Sequence, residues 1–459
     1  MNEWFLKLLK KEIIKMNDDL KFKINEFLKE HNRFEYQRDN FDAFLKKVKF
    51  SFTIPSIHIC GTNGKGSTAY FLSSIYKENN YKAGLFTSPY FYSPNESIKI
   101  NGCDISDEDF YSYLIKWDKL FKKYELSNFE IEVFIALSYF VDQNVDIAII
   151  ECGMGGEEDA TNIFVPILSI ISSISLEHTE FLGKSIAEIA YSKSGIIKHE
   201  VPVLISNKLD EEALNVIKEV SKDNKSKIYQ IHDPAFCELK DNGYIFSYLP
   251  FSNCHINFLS YYSIIDASLA LEAVNILKDK FPVQDSLVLL GLEKMRLLGR
   301  MEVLSKNPLI IVDGAHNPEA MISLRESIEK IQNDKKVHVI FACFKDKNIM
   351  NMLNELSLIS SDITLTTFPH YRARKKEDYF LYLEEYPFDE DYKKVINEKI
   401  NEYKDDIILI TGSLAFSALV IKYLKEQKLW KQVLSFIKLN YQWWIKYVLA
   451  ACLLRLAWF

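Results

Sequence analysis

Residues 57–72 read IHICGTNGKGSTAYFL: a short β-branched apolar run ends at Cys60, Gly61 to Gly66 form a loop, and Ser67-Thr68 open a helix. Strand, glycine loop and helix N-terminus in that order make an anion site. Successive backbone N–H groups and the helix dipole converge on one point, and glycines let a ligand approach the backbone. Lys65 is placed to neutralise terminal phosphates, and the Ser67 hydroxyl to meet Mg²⁺. An ordinary tight turn would not need this context on both sides. The spacing departs from G-x-x-x-x-G-K-[ST], because Gly66 separates Lys65 from Ser67, which points to one branch of nucleotide-binding proteins.

Outward from this stretch, apolar runs alternate with helical ones. VDIAII (145–150) is followed by glycines, and ILSIISSI (167–174) by a helix near Ala187. That rhythm predicts βαβ units and a parallel sheet covered on both faces. Between Ile228 and Phe258 the segments shorten around Asn242-Gly243, a hairpin signal, so a small antiparallel insertion is expected. Helical periodicity returns in SIIDASLALEAVNIL (263–277). A second α/β series comes next with PLIIVDGAHN, KVHVIFACF, ITLTTF and DIILITGS, separated by helices expected near 317–333, 348–357, 375–403 and 413–425. Two α/β domains joined near residues 290–300 are expected.

The 459 residues suffice for two to three domains of about 150 residues each. With 48% hydrophobic and 26% charged residues the chain is a folded globular protein. Lys+Arg 56 against Asp+Glu 63 leaves a net charge of −7, so no global positive field favours nucleic acid and no such partner is expected. The seven Cys lack any C-x-x-C pairing and read as reduced thiols of a cytoplasmic protein. The opening, MNEWFLKLLKKEIIKMNDDLKFKINEF, reads as an amphipathic helix rather than a signal peptide, and Met16 offers a second plausible start. The tail, 426–459, holds four of the six Trp, five basic residues and one acid. It is too interrupted to span a bilayer, and reads as a membrane-surface helix, a helix packed on the protein, or a stray extension.

Further motifs share the sheet edge. In VDIAIIECGMGGEEDATNIF (145–164), Glu151 comes directly after a buried strand at the carboxyl edge, where doubly wound sheets bind ligands. Alone it could be a metal ligand or part of a capped turn; in series with the glycine loop it suits Mg²⁺ shared with phosphate. SIISSISLEHTEFLGKSIAEIAYSKSGIIK (169–198) places Glu177 and His178 at the end of another strand and Lys193 a helix later, so a second metal position is reasonable. In LLGRMEVLSKNPLIIVDGAHNPEA (297–320), Asp313 again comes after a buried strand, with Arg300 before it and His316 after it.

GTNGKGST, ECGMGGEEDATN, EHTEFLG…KSGIIK, LGRMEV and VDGAHNP, in this order, together with TSPYFYSPNESIKING (87–102) and the late GSL, resemble the dihydrofolate synthase and folylpolyglutamate synthase family of the Mur ligase superfamily over about residues 30–425. The resemblance implies an α/β fold with a Mur-ligase-like P-loop ATPase domain on a parallel sheet and a smaller Rossmann-like C-terminal α/β domain, the active site lying in the cleft between them. It sets the ATP-binding central domain at 1–296, with 1–30 a helical extension, the C-terminal domain at 297–425 and the tail at 426–459.

The implied activity is ATP-dependent addition of L-glutamate to 7,8-dihydropteroate and to reduced folates through an acyl phosphate, by a monomer without a transmembrane span. Carried onto this sequence, Thr62, Asn63, Gly64, Lys65, Gly66, Ser67 and Thr68 hold ATP, joined by Asp266, Arg300 and Asp313. Two Mg²⁺ ions are implied, with Ser67, Glu151, His178 and Lys193 as ligands, the last if carbamylated. Lys65, His316 and Lys193 take catalytic roles, while Ser88, Pro89, Phe129, Glu130, Asp159 and Thr161 bind substrate. Against the family pattern, Glu177 replaces an Asp, Glu157 an Arg, Tyr90 a His, Ser97 an Arg and Asp266 an Asn, and Tyr262-Ser263 stands for a His-Gln pair. The alternatives are another Mur-type ligase with a non-folate acceptor, a non-catalytic folate or nucleotide binder, and a phosphate-loop ATPase with mechanical output.

Overall fold

The computed structural model describes residues 19–31, 38–240 and 242–427. The readings of residues 1–18 and of the tail from 428 onward lie outside the described residues. The chain divides into two compact units at Leu297/Leu298.

The first unit opens with helices α1 (19–30) and α2 (Arg38–Val48), followed by β1 (Ser56–Cys60), α3 (Lys65–Glu78), β2 (Ala83–Phe86), β3 (Ile98–Ile100), β4 (Cys103–Asp104), α4 (Asp107–Lys123), α5 (Asn128–Asp142) and β5 (Ile147–Glu151). It continues through β6 (Leu168–Ile171), α6 (Ile186–Ser194), β7 (Val203–Ile205), α7 (Glu211–Asp223), β8 (Ile228–Gln230), β9 (Phe236–Lys240), β10 (Gly243–Tyr248), β11 (Phe251–Ile256), α8 (Tyr262–Leu277) and α9 (Asp285–Lys294).

Eight strands form one sheet in the order β4-β3-β2-β5-β1-β6-β7-β8. It is parallel from β2 to β8, with β3 and β4 added antiparallel at one edge. Every residue of β1, β5 and β6 is buried, as expected of strands covered on both faces. Ile147 and Ile149 pack with residues of α3 and α8 on one face, while Ala148 and Ile150 meet the aromatic cluster of α2, α4 and α5 on the other. Period-two alternation inside a wholly apolar run thus feeds two separate cores. The small insertion is the antiparallel sheet β11-β10-β9, with Gly243 opposite Lys240 across the hairpin.

The second unit contains β12 (Glu302–Lys306), β13 (Leu309–Val312), α10 (Pro318–Ile331), β14 (Val337–Phe341), α11 (Ile349–Ser357), β15 (Asp362–Thr366), β16 (Phe388–Asp389), α12 (Tyr392–Glu402) and β17 (Ile407–Thr411), and then α13 (414–427). Its sheet order is β12-β13-β17-β14-β15-β16, parallel apart from the β12–β13 hairpin. The single helix expected over 375–403 is corrected to a 3₁₀ segment at Lys376–Tyr382, the short strand β16 and α12. Pro387 has no N–H for a helix interior, and Asp391 starts α12 by accepting from the N–H groups of Lys393 and Lys394.

Candidate active site

The carboxyl ends of β1, β5 and β6 share one edge, since Ile59 stands opposite Glu151 and Cys60 opposite Ile171. The glycine loop leaves β1 there. Gly64 caps α3 with φ +85°, and a Cβ on it would collide with Asp266 Oδ1 from α8, so left-handed geometry and close approach both demand glycine. The loop is braced by the residues after β6. Thr62 N donates to Ser173 O (2.9 Å), Asn63 N to Ser173 Oγ (2.8 Å), Ser175 N to Thr62 Oγ1 (3.0 Å), and Ser172 Oγ to Asn63 O (2.7 Å). Lys65 Nζ curls back to Gly61 O (2.9 Å) and Thr62 O (3.1 Å).

Glu151 ends β5 at only 4% exposure. Its Oε2 accepts from Ser88 N at 3.1 Å and lies 3.3 Å from where a Cβ on Gly66 would stand, so one carboxylate touches both the phosphate loop and the 87–102 loop. Ser67 and Thr68 are buried in the first turn of α3. Lys193, in the last turn of α6, is brought to the same place: Nζ donates to Gly61 O at 2.8 Å. Two amines therefore converge on one carbonyl. Burial holds the Lys193 amine below the ordinary lysine value, with the Lys65 charge adding to the effect and Glu177 opposing it.

Glu177 and His178 stand farther from the strand than expected. β6 ends at Ile171, and His178 sits seven residues on in a loop with φ +52°. Its Nε2 is 4.0 Å from Glu177 Oε1, and its side chain is 43% exposed. Among the described residues no group of three or more His, Cys, Asp or Glu is assembled as a protein-only metal cage.

Phe129 and Glu130 open α5. The Phe129 ring fills the space beside Gly153, where a Cβ would strike it, and lies 6.0 Å from Phe86. Glu130 closes a capping box, Oε2 accepting from Ser127 N (2.7 Å) and Oγ (2.6 Å). Asp159 and Thr161 are buried and mutually engaged: Asp159 accepts from Thr161 N (2.9 Å) and Met154 N (2.7 Å), and Thr161 Oγ1 lies 2.9 Å from His58 Nε2. Asp159 thus shapes the glycine turn after Glu151. Burial pushes the His58 imidazole down to about 3, so it is neutral. The Ser88–Pro89 peptide is cis.

In the second unit, Asp313 comes directly after β13 and is 1% exposed. Its oxygens accept from Met301 N and Ala315 N, each at 2.8 Å, which pins the 299–301 turn to the strand end. His316 Nδ1 lies 2.8 Å from Gly314 O, and Asn317 caps α10 through Ala320 N. Arg300 makes no hydrogen bond or ion pair among the described residues.

The structure therefore gathers Thr62 to Thr68, Asp266, Glu151, Lys193 and Ser88 about the carboxyl edge of the first sheet, and keeps Arg300, Asp313 and His316 together on the second unit. The sequence reading missed Ser172, Ser173 and Ser175. Their signal was faint: three serines in the seven residues after Ser169, at the end of an apolar run.

Residues 59–271 match the Mur ligase middle domain and residues 299–414 the Mur ligase glutamate ligase domain, which makes this a protein of the Mur ligase class. The dihydrofolate synthase/folylpolyglutamate synthase of Bacillus subtilis (strain 168) is 32% identical over 401 residues, 81% of this chain and 91% of the relative. The chain belongs to the dihydrofolate synthase/folylpolyglutamate synthase family. Its fold is shared by Mycobacterium tuberculosis folylpolyglutamate synthase complexed with ADP (TM-score 0.82, 22% identity, 89% of this chain and 99% of that one). It is also shared by Escherichia coli FolC in complex with DHPP and ADP (TM-score 0.80, 22% identity, 88% and 98%). No helix among the described residues is long and apolar enough to cross a membrane.

Proposed function

We propose that this protein is an ATP-dependent amide ligase that adds L-glutamate to 7,8-dihydropteroate and to reduced folates. One observation carries the reading: a chain 32% identical to a relative of that name over 81% of its length places Lys65, Lys193 and Glu151 around one glycine loop.

A carboxylate is a poor electrophile, so the acceptor carboxylate oxygen first takes the γ-phosphoryl group of ATP and ADP leaves. The 62–68 backbone cradles the phosphates, and the Lys65 ammonium moves from the carbonyls of Gly61 and Thr62 to the charge developing on the transferred group. The α-amino group of L-glutamate then attacks the acyl carbon, the tetrahedral intermediate expels phosphate, and the amine proton is lost to give the amide. Arg300 and Asp313 supply ATP contacts, and His316 meets the incoming glutamate.

The donor set fits Mg²⁺. Glu151 is a buried carboxylate beside the loop and Ser67 offers a hydroxyl, an oxygen set suited to a hard ion that fills the rest of its shell with phosphate and water. Ser67 and Glu151 would hold one ion, His178 and Lys193 a second; bound there, Mg²⁺ neutralises phosphate charge. A buried amine held below its usual pKa is disposed to be neutral, the form that adds CO₂ to become a carbamate with oxygen donors.

The test is ADP formation by the purified chain with Mg-ATP and L-glutamate, with 7,8-dihydropteroate and tetrahydrofolate supplied separately and product masses read alongside. A gain of one glutamyl unit on both acceptors is expected. No gain on either, in protein that binds ATP, overturns the reading.

A further inference from the structure

The buried acids around the site each have an evident partner except one. Glu130 accepts twice from Ser127 through Oε2, although its Oε1 is buried without a partner, Asp159 accepts from Thr161 and Met154, and Glu151 accepts from Ser88. Glu132, two residues on from Glu130 and 4% exposed, makes no hydrogen bond or ion pair among the described residues. Burial alone pushes its carboxyl up to about 8. A desolvated carboxyl with no partner is unfavourable in a folded protein, and an outside group is the simplest partner for it.

Its surroundings say which group. Glu132 lies three residues after Phe129, so the two share one face of α5. Phe129 abuts Gly153, two residues beyond Glu151, and Phe86, the last residue of β2. The loop after β2 contributes Tyr90, whose phenol is pushed up to about 12 by burial first and then by the charges of Glu132 and Glu96, which sets the Glu132 carboxyl within electrostatic range of that loop. Tyr90 is itself 39% exposed. A carboxyl thus stands with two aromatic side chains next to the loop that is hydrogen-bonded to Glu151.

This inference rests on the ligase reading above. An acceptor with its carboxylate at the phosphate loop turns its other end, the pterin, away from the phosphates. That end is a flat heterocycle bearing an exocyclic amine beside a ring N–H, two donors spaced to meet the two oxygens of one carboxyl, and flat rings pack against aromatic side chains. We propose that Glu132 binds the 2-amino and adjacent ring N–H edge of the acceptor's pterin, with Phe129 and Tyr90 against its faces, and so determines acceptor specificity.

The test compares 7,8-dihydropteroate with its 2-desamino-2-methyl analogue as acceptors for the full-length wild type, E132Q and E132L, reading kcat/KM from ADP release and product mass. The wild type should favour the parent by about ten- to a hundredfold, the range for leaving a buried hydrogen-bonding group without its partner. E132L should lose that preference by slowing on the parent alone, with KM for ATP unchanged. E132Q, close to Glu in shape, should show an intermediate preference, and carries the test if E132L fails to fold. Equal losses on both acceptors, or an unchanged ratio in either folded variant, would make Glu132 a core acid and overturn the inference. Wild type that extends neither acceptor while still binding ATP would remove the ligase reading and this inference with it.

Discussion

Replacing Gly66 by Ala separates the position of Glu151 from the stability of the fold. Gly66 is the second residue of α3 and its φ lies outside the left-handed region, so an alanine there meets no backbone strain. Helical Gly→Ala gains roughly 0.5–1 kcal/mol. The added methyl would stand 3.3 Å from Glu151 Oε2 and 3.6 Å from Oε1, tight enough that the carboxylate must yield by a few tenths of an ångström. Because β5 is buried on both faces, the side chain rather than the strand has to move. G66A should therefore melt at the same temperature as the wild type or slightly above it. Its kcat/KM should fall by about tenfold, on the scale that small misplacements of catalytic groups exact, and its Mg²⁺ requirement should rise. Thermal melts together with ADP release across a Mg²⁺ titration read all three. Full activity with unchanged Mg²⁺ dependence would refute the role proposed for Glu151, and a collapse in stability would refute the helix argument.

S173A removes the hydroxyl that accepts from Asn63 N and donates back to Asn63 O; at about 1 kcal/mol for each bond the loop loosens, and ADP affinity measured by calorimetry should drop about fivefold to thirtyfold. K193M should abolish turnover while altering the pH dependence of stability. The Lys193 amine titrates below the ordinary value of 10.5 when folded, so between the two values the unfolded chain binds more protons and stability rises with pH. That contribution is complete above the unfolded value and lost as pH falls through the folded one, and denaturant midpoints across the alkaline range should show a flatter slope in K193M. R300A should raise KM for ATP by about tenfold or more with an unchanged melting temperature, because the guanidinium has no bond to lose among the described residues.

Burial decides how much of the fold and site the sequence makes legible. Strands covered on both faces must be apolar throughout, so Ser56–Cys60, Ile147–Glu151 and Leu168–Ile171 stand out, and the chemistry-bearing residues lie just past the carboxyl end of each. The same rule overreaches at His178, because the run ILSIISSI continues in apolar and small residues for three positions after β6 has ended at Ile171. Two of those positions, Ser172 and Ser173, and Ser175 just beyond them leave the sheet to brace the glycine loop. Such bonds join segments about 110 residues apart, and no local periodicity records them. The 375–403 stretch misleads in the opposite way: charged and apolar residues alternate helically, yet Pro387 and Asp391 are local signals that a helix ends and another begins. Glu132 is hidden because the two acids of NFEIEVFIALSYF read as the polar edge of an amphipathic helix, whereas α5 buries residues 130 to 137 without a break.

The topology explains why a single carboxylate can serve two loops. In chain order β1, β2 and β5 are separated by helices, but in the sheet β5 lies between β2 and β1. The phosphate loop leaves β1 and the Ser88 loop leaves β2, so they flank the end of β5 from either side. Glu151 reaches Ser88 N with Oε2 and stands against Gly66 on its other flank. A carboxylate has two oxygens with two lone pairs each, so Glu151 can accept a backbone N–H and still meet a cation between the loops. Any movement of the Ser88 loop on acceptor binding is then transmitted to the oxygen proposed to hold Mg²⁺, with no pathway longer than one side chain. Acceptor and nucleotide affinities should therefore be coupled, and by linkage reciprocally so; E151Q, which can keep the Ser88 bond through its amide oxygen but loses the charge, should weaken that coupling while leaving the loop in place.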